Sequence, residues 1–100
     1  MSVLNPTREL CDSSGRPYFL WDCNLTLSEF IERLKNTDVR VRAYFAAKLM
    51  RQAKPDDVFT FLSLKEIAEL WPNIKRYLGN KLGFWDWLLS MWEKQGRVQR

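Results

Sequence analysis

Apolar residues recur at helical spacing through most of the chain after residue 26, and short polar clusters cut that pattern into segments. Thr26-Leu27-Ser28-Glu29 has the form of a capping box, so a helix is expected from about Leu27 to Lys35. Asp38 is placed to cap the next helix, which runs to about Ala53, where Pro55 stops it. At 3.6 residues per turn, Val41, Phe45, Ala46, Leu49 and Ala53 share one face of this helix. Arg40, Tyr44, Lys48, Arg51 and Lys54 fall on the opposite face, which therefore reads as solvated and basic. Pro55-Asp56-Asp57 resembles a helix start, with acids in the first turn and Val58, Phe59, Phe61 and Leu62 turned inward. Ser63-Leu64-Lys65-Glu66 is a second capping box and opens a helix that should end at Trp71, because Pro72 follows. A short helix from Asn73 to Leu78, a loop from Gly79 to Gly83 and a final helix from about Phe84 to Lys94 complete the series. That last helix is apolar around much of its circumference.

Before Thr26 the pattern changes. Met1 to Cys11 contains Pro6 and has little periodicity, Asp12-Ser13-Ser14-Gly15 is a turn cluster, and Pro17-Tyr18-Phe19-Leu20-Trp21 is aromatic and too short for a long helix. This segment is expected to lie extended over a helical core. The stretch from Phe30 to Leu49, an apolar helix, a polar turn and Asp-Val-Arg-Val-Arg leading into an alanine-containing helix, resembles one unit of a HEAT-type repeat. No second unit of that quality follows, and one unit cannot bury its own faces. The expected fold is all-α, a compact domain of about six short helices containing a HEAT-like hairpin, with an extended N-terminal arm. Residues 1–25 form the arm and turn, 26–94 the helical domain and 95–100 a loose polar tail.

Composition narrows the function classes. The chain has 100 residues, 46% of them apolar, and its five Trp can anchor a small core. The net charge is only +4, but Arg33 to Lys54 holds seven basic residues against one acid, Asp38. No apolar run approaches the roughly 20 residues of a membrane span, so a soluble, cytoplasmic protein is expected. Cys11 and Cys23 should then be free thiols.

Histidine is absent, which removes the commonest general base and metal ligand. The carboxylate pairs Glu29/Glu32, Asp56/Asp57 and Glu66/Glu69 all sit in first turns of expected helices, where the helix dipole favours negative charge. They read as capping groups. The chain is therefore expected to be no enzyme and to carry no cofactor and no metal. Two surfaces remain as candidates. Tyr18, Phe19, Trp21, Trp85, Trp87, Leu88, Met91 and Trp92 form the candidate protein interface, because a helix apolar on nearly all sides is hard to bury completely in a small domain. Trp92 is the member expected to be most exposed. Arg40, Tyr44, Lys48, Arg51 and Lys54 form the candidate nucleic-acid face, with cations for phosphates and Tyr44 for stacking on a base.

RPYFLWD at Arg16 to Asp22, LTLSEFIERL, the run from Asp38 to Pro72 and the closing FWDWLL together resemble a family of small uncharacterised bacterial proteins, over about Arg8 to Trp92. The resemblance implies a gene neighbourhood with a nucleotidyltransferase-type abortive-infection toxin, and hence an antitoxin-like or accessory role. The leading expectation is a non-enzymatic protein-interaction module with a protein partner or self-association. The alternative is a nucleic-acid-binding regulator.

Overall fold

The structure, a computed structural model, describes residues 16–100; of the expected arm and turn over 1–25, residues 1–15, Cys11 among them, lie outside the described residues. Five α-helices follow in order: α1 (Leu27–Leu34), α2 (Val39–Gln52), α3 (Pro55–Phe61), α4 (Leu64–Ile74) and α5 (Leu82–Lys94). Three single 3-10 turns, Tyr18–Leu20, Lys75–Tyr77 and Gly79–Lys81, connect or precede them. The chain is all-α, and its radius of gyration of 13.4 Å is that of a compact domain of this length.

Each helix start follows from its residues. Thr26 Oγ1 accepts from the Glu29 amide at 3.3 Å while Glu29 Oε1 accepts from the Thr26 amide at 2.8 Å. Ser63 and Glu66 repeat the arrangement at α4, at 3.1 and 2.8 Å. Asp38 Oδ1 accepts from the Arg40 amide at 2.9 Å, so the polar turn between α1 and α2 ends in a cap. The turn is tightened from the other side by Arg42, whose guanidinium donates to the Asn36 carbonyl at 3.0 Å.

The centre of the molecule is α2. Ala43, Ala46, Ala47, Leu49 and Met50 are buried, and the small alanines let α1 and α4 pack closely on either side. Phe19, Phe30 and Phe61 meet edge to face beneath α1, with ring centroids 5.3–5.8 Å apart. Trp85 enters from α5 and Ile67, Trp71 and Ile74 from α4.

Two chain breaks differ from expectation. Pro72 does not end α4, which continues to Ile74. An interior proline costs about 3 kcal/mol, but Ile67, Ala68 and Trp71 before it and Ile74 after it share one buried face, and each large apolar side chain buried contributes about 1.5–3 kcal/mol. Pro72 itself sits on the exposed side. The expected loop from Gly79 to Gly83 is instead a 3-10 turn running into α5, and Gly79, at φ +55°, supplies the left-handed residue that redirects the chain. The expected short helix from Asn73 to Leu78 is thus divided between the end of α4 and a 3-10 turn.

The segment before α1 is also more structured than an extended strap. Tyr18–Leu20 forms a 3-10 turn whose Phe19 and Leu20 are fully buried. Nor is the polar tail loose: Arg100 folds back onto α5 and α4.

Candidate interaction surface

The C-terminal end of α2 shows how the surrounding segments are held. Lys54 precedes Pro55 and is therefore extended, so its amide does not continue the helix. Instead it donates to the Tyr18 hydroxyl at 2.9 Å, and that hydroxyl donates to Asp57 Oδ2 at 2.5 Å. Burial, together with the hydrogen bond to Asp57, pushes the Tyr18 phenol above its usual value. The Met50 carbonyl, in the last turn, accepts from Trp85 Nε1 at 2.9 Å. Two aromatic side chains from distant parts of the chain thus satisfy polar groups that the helix end leaves over.

This geometry separates the expected interface into buried and open members. Phe19 and Trp85 are core residues, at 0% and 1% exposure, and present no surface. Tyr18 is committed through its hydroxyl. Trp92, expected to be the most exposed, is half-buried and lies edge-on to Phe59 at 5.7 Å. The exposed tryptophans are Trp21, at 76%, and Trp87, at 59%.

The helix α5 divides into three faces. Trp85, Leu89 and Trp92 turn into the core. Asp86, Ser90 and Glu93 lie on a polar face that Arg100 covers, its guanidinium donating to all three side chains at 2.8–2.9 Å. The same guanidinium stands 5.2 Å from the centre of the Trp71 ring. These hydrogen bonds hold the Glu93 carboxyl below its usual range and raise Arg100 above its own. Phe84, Trp87, Leu88 and Met91 recur at i, i+3, i+4 and i+7 and make the third face. Phe84 is 42% exposed and lies 6.4 Å from Trp87, while Leu88 and Met91 are half-covered. The stripe is open at Phe84 and Trp87, while Leu88 packs partly against the core. Lys81 and Lys94 stand exposed at its two ends, and neither forms an ion pair among the described residues.

Trp21 is presented differently. Phe19 and Leu20 anchor the turn before it, and Asp22 after it accepts from Lys48 Nζ at 2.8 Å and from Gln52 Nε2 at 3.3 Å. The ring is held out on a fixed turn.

The expected nucleic-acid face is not one continuous stripe. Lys48 is buried, with its stem in the core and its ammonium on Asp22, whose carboxyl that contact lowers below the usual range. Arg51 donates to the Tyr77 carbonyl at 3.0 Å. Lys54 lies beyond the helix, near α3. Arg40, Tyr44 and Lys54 are exposed as expected, but of these only Arg40 and Tyr44 lie on α2. The helical pattern missed this because it cannot register a segment packing from elsewhere in the chain, and the 18–22 turn covers α2 at Lys48. Sequence reasoning also missed Tyr77, which meets Tyr44 edge to face at 5.4 Å, and a cleft of about 440 Å³ between the α1–α2 turn and α4. The cleft is lined by Lys35 and Arg42 as well as Glu66 and Glu69, so its charges balance.

Among the described residues no three Cys, Asp or Glu side chains converge as a metal-binding group, and no helix is long and apolar enough to cross a membrane. Cys23 is a free, half-buried thiol. The carboxylates of Glu29, Asp38, Asp57 and Glu66 are engaged at helix starts or by Tyr18. Comparison of the chain with family models, with curated proteins and with solved structures finds no match.

Proposed function

We propose that this protein is a non-enzymatic interaction module of the cytoplasm that binds a partner protein through the open face of α5. The observation that carries the reading is the pair of exposed aromatics Phe84 and Trp87, flanked by half-buried Leu88 and Met91, on a helix whose two other faces are already taken by the core and by Arg100. Aromatic side chains on a rigid helix are the residues that most often dominate binding energy. A different protein fits this face better than a second copy does. Antiparallel pairing of two such helices through the stripe sets Lys81 of one copy against Lys94 of the other. The Asp86 and Glu93 charges that could relieve this are held by Arg100. A partner with an apolar patch bordered by acids is complementary in both respects. The resemblance over Arg8 to Trp92 points to an antitoxin-like or accessory role beside a nucleotidyltransferase-type protein, and that protein is the first partner to test.

The test is co-purification with a nucleotidyltransferase-type protein of the kind the resemblance implies, comparing the unaltered chain with Trp87→Ala. A stoichiometric complex that the substitution weakens supports the reading. A complex indifferent to Trp87 removes α5 from it, and no complex removes the named partner.

A further inference from the structure

Independently of α5, we propose that Tyr44 and Tyr77 form a stacking site for one base of a single-stranded nucleic acid, with Arg40 and the Lys75–Arg76 pair receiving the flanking phosphates. The site is a shallow, open depression at the N-terminal half of α2, lined by Asp38, Arg40, Val41, Tyr44, Phe45 and Tyr77. It is smaller than the basic stripe expected from helical periodicity and is built from two elements.

Its aromatic part is preorganised. Tyr44 stands nearly perpendicular to both Phe45 and Tyr77, with centroids 5.1 and 5.4 Å away and interplanar angles of 86° and 84°. Tyr77 is fixed from behind by Arg51, which donates to its carbonyl. Tyr44 nevertheless remains exposed, so an incoming ring can lie on a face whose edge contacts are already made. Stacking of this kind tolerates any base, because every base has a π-face.

The charged part is open to an anion. The Arg40 side chain is 77% exposed and its Nε pairs with Asp38 Oδ1 at 3.5 Å, a contact that an incoming phosphate has to compete with. The Asp38 carboxylate is occupied by the Arg40 amide and sits at the start of α2, whose amides offset its charge. Lys75 and Arg76 are exposed and precede Tyr77 in the same 3-10 turn. Arg40 thus lines the site itself, and Lys75 and Arg76 stand exposed on the turn that supplies Tyr77. Cations flanking an exposed aromatic pair are the arrangement that a single strand crossing the site needs, with phosphates on the cations and a base on the ring.

The experiment is fluorescence anisotropy with a labelled single-stranded oligouridylate of about ten nucleotides, titrated with the full chain at low salt. Tyr44→Leu should weaken binding at least about fivefold, Tyr44→Phe should retain it, and Arg40→Ala should flatten the salt dependence. Raising salt from about 50 to about 200 mM should weaken the unaltered protein roughly tenfold, as release of two or three phosphate counterions requires. Trp87→Ala should leave all of this unchanged, so failure here is distinct from failure of the α5 reading. No binding by the unaltered chain at low salt would overturn the proposal. So would equal binding by Tyr44→Leu with unchanged helicity, or an equal affinity for duplex RNA.

Discussion

Lys48 Nζ lies 2.8 Å from Asp22 Oδ2, with the lysine side chain 5% exposed and the aspartate 35% exposed. The contact ties the turn before α1 to the middle of α2, and it turns a residue with the spacing of a solvated cation into part of the core. Its two partners are not equivalent. Removing the carboxylate leaves a buried ammonium without its counter-charge, whereas removing the lysine leaves a carboxylate that water still reaches. Asp22→Asn is therefore expected to destabilise by about 1–3 kcal/mol, and Lys48→Met to stay within about 1 kcal/mol of the unaltered protein. Urea unfolding of the two variants checks the asymmetry; equal losses would mean that the pair is as wet as an ordinary surface bridge.

Trp85 and Trp87 stand two residues apart on α5 and should behave oppositely. Trp85→Ala empties a core site and strips the Met50 carbonyl of its donor, for a loss of about 3–5 kcal/mol. Trp85→Phe keeps most of the packing and isolates the hydrogen bond, at about 1–2 kcal/mol. Trp87→Ala should change stability by no more than about 0.5 kcal/mol. Thermal melts of the three variants, followed by circular dichroism, order them.

The pH dependence has two limbs of known sign. The Asp22 carboxyl is lowered from 3.8, chiefly by the hydrogen bond from Lys48. Glu29, Asp38 and Glu93 are lowered too, by hydrogen bonds from Thr26, Arg40 and Arg100 respectively. A depressed folded value gives stability that is present above the ordinary carboxylate range and lost as pH falls through the folded values, so melting should drop below about pH 4. Tyr18 runs the other way. Its raised value gives stability that is complete below about pH 10 and lost as pH climbs through it. Tyr18→Phe should remove that alkaline contribution while lowering stability near neutrality by about 1 kcal/mol. A melting profile identical to that of the unaltered chain above pH 10 would show that the hydroxyl is not bound to Asp57.

Arg100 covers the polar face of α5, so Arg100→Ala should cost about 1 kcal/mol and leave Asp86 and Glu93 bare. Because those pairs are near the surface, the difference between variant and unaltered protein should shrink as salt rises. A salt-independent difference would assign the effect to the contact with Trp71 instead.

The helical framework was legible because it rests on local chemistry. Thr26, Asp38 and Ser63 cap where their spacing to Glu29, Arg40 and Glu66 says they should. What could not be read is whatever depends on a distant segment. Pro72 looked like a stop because the burial of Ile74 beyond it is a tertiary fact. Lys48 looked wet because Asp22 comes from another part of the chain. On α5 the surplus of apolar residues was visible, but which aromatic is left outside depends on how the helix rotates against α2 and α3. Phe59 covers Trp92, and nothing described covers Trp87.

The open face of α5 is the proposed binding surface for a partner protein. Isothermal titration of a nucleotidyltransferase-type protein, the proposed partner, with the unaltered chain and with Phe84→Ala/Trp87→Ala at moderate salt tests this surface most directly. The account predicts a saturable complex for the unaltered chain, weakened at least about thirtyfold by the double substitution, with a helical spectrum and melting point that the substitution leaves in place. Equal affinity for both chains would contradict it.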